Sequence, residues 1–89
     1  MTIEKARRTL QEIKDTAAHA SLTGSLRHGS GVLIKAYNAI FKQAIAQQWL
    51  ADDGIVTEIN IDEIGSEWKE RMDYLGCAAG LFIALIEEK

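Results

Sequence analysis

The residues best suited to chemistry sit in one stretch, Gly24-Ser25-Leu26-Arg27-His28-Gly29-Ser30-Gly31. Its glycine spacing resembles a phosphate-binding P-loop. That motif needs a lysine, and Ser30 stands in its place; no strand precedes the loop either. A P-loop is therefore excluded, and a simpler anion site is the candidate. Backbone amides of Gly29, Ser30 and Gly31 at the start of a helix, with Arg27 and His28 beside them, suit a phosphate or other small anion. The alternative is an ordinary inter-helix turn.

His19 is followed by Ser21, Leu22, Thr23, Gly24 and Ser25. This stretch resembles the His-x-Leu-Lys-Gly-Ser motif of histidine phosphotransfer domains, which are helical bundles. The resemblance implies a phosphoryl group carried on His19. It covers seven residues, its spacing to the glycine is one residue longer, and Thr23 replaces the lysine.

Other chemistry is sparser. Cys77, the single cysteine, lies among Ala78, Ala79 and Gly80 with no histidine nearby in sequence, and is expected to be a buried small hydrophobe. One cysteine excludes an intramolecular disulfide framework and a multi-cysteine zinc site. His19 and His28 have no carboxylates at ligand spacing, so no metal and no cofactor are expected. The acid pairs Asp52/Asp53, Asp62/Glu63 and Glu87/Glu88 fall at element ends, where carboxylates are usually solvated, and nothing marks them for acid–base work. Trp49 and Trp68 read as core anchors. No catalytic residue is assigned, and the reading leans away from an enzyme.

The elements that would position these residues are helical. Ile3, Ala6, Leu10, Ile13, Ala17 and Ala20 fall at alternating spacings of three and four, which predicts an amphipathic helix over 2–22 capped by Thr2. A second helix is expected over 31–51. Leu33, Tyr37, Ile40, Ala44 and Ala51 fall on one side of it; Ile34, Phe41, Ile45 and Trp49 fall on the adjoining side. Gly24 and Gly54 suit the C′ positions of these two helices, and Ser30 suits a cap between them. Asp52 and Asp53 oppose the macrodipole, which places the true end of the second helix nearer Trp49.

Ile55 to Ile61 alternates and is rich in β-branched residues, which favours an extended segment. A lone strand has no partner in this chain. The expected form is a connector tucked over the helices, with pairing to another copy as the alternative. A third helix is expected from Asp62 or Ser66 to about Glu88, along Ile64, Trp68, Met72, Leu75, Ala79, Phe82 and Ile86.

From Leu75 onward this third helix is apolar all round. A thin alanine-rich first helix and a shared second one cannot cover it, and large apolar patches seldom stay exposed on soluble monomers. A homodimer, or a higher even oligomer, is therefore expected, with Leu75, Gly76, Ala79, Gly80 and Ile83 at the interface. The polar stripe Lys35, Asn38 and Lys42 is the candidate surface for a protein partner.

The 89 residues, 47% of them hydrophobic and 26% charged, fit one globular domain and exclude a disordered chain. The formal net charge of −3 hides an asymmetry: residues 1–48 carry +4 and residues 49–89 carry −7. That split suits attraction between the halves, within the fold or across a dimer. Three acids dilute the basic face of Lys5, Arg7, Arg8 and Lys14, so nucleic acid is not an expected partner. Arg7, Arg8, Glu12 and Lys14 interrupt any signal-peptide core, and the uncharged run Tyr74–Ile86 falls short of the about 20 residues a membrane span needs. No membrane partner and a cytoplasmic location are expected.

These readings converge on an all-α three-helix bundle, up-down-up, with a Gly-rich first turn and an extended second connector. The expected function is that of a small homo-oligomeric interaction or regulatory module. The alternative is a phosphate-, anion- or small-ligand-binding domain built on the 24–31 loop.

Overall fold

A computed structural model describes residues 2–23, 30–51, 53–60 and 68–87 of the chain. Three helices form an all-α bundle: α1 (Ile3–Thr23), α2 (Ser30–Ala46) and α3 (Trp68–Glu87). No strand occurs among the described residues. None of their helices is long and apolar enough to cross a membrane.

The first helix starts as its sequence dictates. The Thr2 hydroxyl accepts from the Lys5 amide at 3.2 Å, and the Thr2 carbonyl accepts from the Ala6 amide at 3.0 Å. These two bonds make Thr2 the N-cap. Ala6, Leu10, Ile13, Ala17 and Ala20 are all buried, and Ile3 packs at the edge of the same core. The three-four spacing thus marks the inward face without error.

The second helix ends earlier than Gly54. Gln48 adopts a left-handed backbone (φ 61°). Its amide donates to the Ile45 carbonyl at 3.2 Å, and the Trp49 amide donates to the Ala44 carbonyl at 2.9 Å. That bond pair is a Schellman cap with Gln48 at C′. Gly54, also left-handed (φ 81°), turns the chain after the cap, where Asp53 accepts from the Ile55 amide at 3.1 Å. Ser30 is the first residue of α2 itself. Gly24, the proposed C′ residue of α1, lies outside the described residues, as do Ile61, Ile64 and the two proposed starts of α3, Asp62 and Ser66.

After the cap the chain doubles back along α2. The Asn38 side chain holds both backbone groups of Ile59: its Nδ2 donates to the Ile59 carbonyl at 2.9 Å, and its Oδ1 accepts from the Ile59 amide at 2.8 Å. Glu58 and Asn60 share a groove with Gly31 and Lys35, near the start of α2. The segment is an extended connector, but its burial does not alternate: Val56 and Ile59 are buried, and Ile55, Thr57, Glu58 and Asn60 are exposed.

That return path sets the direction of α3. A Cβ on Gly76 would lie 3.9 Å from Ala17, and one on Gly80 would lie 3.6 Å from Lys14. Positions rise along α3 as they fall along α1, so the two helices run antiparallel. An up-down-up bundle would make them parallel. The long connector permits the difference, because it carries the chain back along α2 before α3 begins. Met72, Leu75, Ala79, Phe82, Ile83 and Ile86 of α3 complete the core. Phe82 meets Tyr37 and Phe41 of α2 edge-on, with ring centroids 5.6 and 6.5 Å apart, a favoured aromatic geometry.

Candidate interaction surface

An apolar helix must hide every face, and α3 hides only part of itself. Its buried residues centre on Leu75 and Ala79. On the opposite side Tyr74, Cys77, Leu81 and Ala84 follow at spacings of three, four and three, and all four are exposed. Tyr74 keeps 47% and Leu81 45% of its surface in contact with solvent. Cys77, expected to be buried, is an exposed free thiol. It faces outward on α3, between a hollow shared with Tyr37 of α2 and one shared with Lys14 and Ala18 of α1.

Two hollows flank this stripe, and Cys77 and Leu81 line both, forming the ridge between them. One hollow, of about 220 Å³, lies toward the connector and includes Ile55, Tyr74 and the edge of Tyr37. Burial, and then the neighbouring Tyr74, push the Tyr37 phenol well above its ordinary value of 10.0. Tyr37 therefore presents a neutral hydroxyl. The other hollow, of about 530 Å³, lies toward α1. Gly76 and Gly80 line it; the Lys14 side chain lies against Gly80, and Asp73 lies about two turns back along α3.

The residues named from sequence for an interface are largely enclosed within the single chain. Leu75, Ala79 and Ile83 are buried within the single chain. Gly76 and Gly80 face α1 rather than open solvent. The alanines of α1, read as burying little, let it come close to these glycines and cover that side of α3. The uncovered face is therefore the neighbouring one, at Tyr74, Cys77 and Leu81. A second three-four seam beside the first was its sequence signal.

The polar stripe of α2 also divides. Lys35 and Lys42 are exposed, but Asn38 is half-buried and bonded to Ile59 through both ends of its amide. Its side chain therefore serves the fold. Of the proposed anion site, Arg27, His28 and Gly29 lie outside the described residues; Ser30 opens α2 and Gly31 is exposed. His19 is exposed on α1 and engaged in an interaction within the chain. Asp52, Asp62, Glu63 and Glu88 also lie outside the described residues. Among the described residues, no group of three or more His, Cys, Asp or Glu is placed to hold a metal ion.

No family model, no curated protein and no solved structure matches this chain.

Proposed function

We propose that the chain is a small non-enzymatic interaction or regulatory module whose working surface is the outward face of α3. One observation carries this reading: Tyr74, Cys77 and Leu81 form a continuous apolar stripe in water, with Ile55 beside it at 59% exposure. Large contiguous apolar patches on soluble proteins usually mark association sites. Tyrosine and leucine on a ridge between hollows give a partner both area and shape.

Cys77 reports on this surface directly. A thiol-reactive maleimide should label it quickly in the purified protein at nanomolar concentration. In a lysate of the source cells, labelling should slow at least several-fold. Leu81→Glu, at an exposed position, should abolish that protection while leaving the helical circular dichroism intact. Equal labelling rates in lysate and in dilute buffer would overturn the reading.

A further inference from the structure

We infer that the occupant of this face is a second copy of the same chain, seated with its α3 antiparallel to the first about a two-fold axis beside Cys77. This inference rests on the interaction surface proposed above and adds the partner and its geometry.

The hollow between α1 and α3 is self-complementary. Lys14 stands at the end marked by Gly80 and Leu81, and Asp73 at the end marked by Met72. Gly76 and Cys77 lie between them. A two-fold rotation about that midpoint exchanges the ends. It brings Lys14 of each copy over Asp73 of the other, so both contacts are attractive. A parallel arrangement would set lysine over lysine and aspartate over aspartate. Asp73 already interacts within its own chain. A carboxylate accepts several bonds at once, so that engagement is compatible with the second contact.

Shape agrees with charge. The ridge of Cys77 and Leu81 stands beside a hollow in which the Lys14 side chain lies over Gly80. Ridge into groove is how helices pack, with axes about 8–10 Å apart. Antiparallel α3 helices centred between Cys77 and Ala78 set Tyr74 of one copy against Leu81 of the other, twice. The contact is isologous, as a closed dimer requires.

Size sets a further condition. A stable dimer buries roughly 800 Å² per copy, more than three side chains supply. The stripe must therefore be joined by the Lys14 edge of α1 and by Ile55.

A charge-swap series tests the inference. Wild-type protein, Lys14→Glu, Asp73→Lys and the double variant are compared by light scattering across a dilution series, with Cys77 labelling measured on the same samples. Both positions are exposed, and circular dichroism confirms that each variant folds. The wild type should reach twice the 9.8 kDa chain mass at micromolar concentration, with Cys77 protected as it does so. Each single variant should weaken the dimer roughly ten-fold or more, and the double variant should recover most of the loss. A dimer indifferent to the single swaps, or not rescued by the double, would overturn the antiparallel geometry. A wild type that stays monomeric with Cys77 unprotected would overturn self-association. Protection in lysate under those conditions would leave the interaction surface standing with a different partner; no protection in either would remove both.

Discussion

Asn38 and Ile59 stand 21 residues apart and share two hydrogen bonds, 2.9 and 2.8 Å long. The side-chain amide of Asn38 offers one donor and one acceptor side by side. It thus does for Ile59 what a neighbouring strand would do. This is how an extended connector without a strand partner satisfies a buried residue's backbone.

Removing that amide leaves an amide and a carbonyl at Ile59 without protein partners. Asn38→Ala should cost about 2 kcal/mol, because part-buried backbone groups lose their bonds together. Urea denaturation measures the loss. Native-state hydrogen exchange should show the Ile59 amide exposed well before the helices open. An unchanged midpoint with unchanged exchange at Ile59 would contradict the assignment.

Gln48 holds a left-handed backbone that favours glycine. Gln48→Gly should stabilise the fold by about 0.5–1 kcal/mol. Gln48→Val should destabilise it, since β-branching worsens the strain at positive φ. Thermal melts of the two variants should move in opposite directions from the wild type.

The glycines of α3 have room. An added Cβ would meet Ala17 at 3.9 Å and Lys14 at 3.6 Å, both ordinary contacts. Gly76→Ala and Gly80→Ala should each stabilise the fold by about 0.5–1 kcal/mol through helix propensity. For a chain of this size that is a rise of roughly 2–8 °C in melting temperature. A fall in melting temperature would mean that α1 and α3 pack too tightly to admit a methyl group.

Tyr37 ties stability to alkaline pH. Its phenol is raised above 10.0 in the folded state by burial and by Tyr74. The folded chain thus holds this proton more tightly than the unfolded chain does. The stabilisation is fully present below pH 10 and is lost as pH climbs above it. Tyr37→Phe should flatten that alkaline decline in a series of denaturation curves, whatever it does at neutral pH.

Much of this was legible in the chain. Ala6, Leu10, Ile13, Ala17 and Ala20, and Met72, Leu75, Ala79, Phe82 and Ile86, were readable as core because helical periodicity acts locally. Thr2 was readable as a cap for the same reason. The connector was readable as extended, but not the burial of Val56 and Ile59, because that depends on an asparagine 21 residues upstream. The end of α2 near Trp49 was legible from Asp52 and Asp53, but not the residue that caps it, because Gln48 adopts a conformation its type does not advertise. That Leu75, Ala79 and Ile83 are enclosed within the chain was not readable, because the sequence shows that α3 is apolar all round, and the antiparallel approach of α1 decides which side it covers. Cys77 changed from buried to exposed on that ground alone.

The antiparallel pairing of α1 with α3 bears on how the chain is made. Ala17 and Gly76 face each other across 59 residues of sequence. During synthesis α1 leaves the ribosome on the order of seconds before its partner does. Until then its alanine stripe has only α2 to lean on. Folding must therefore await the last helix, with the loop-closure entropy of most of the chain to overcome. A nascent chain halted before Trp68 would hold a ready-made half-core with nothing to close it.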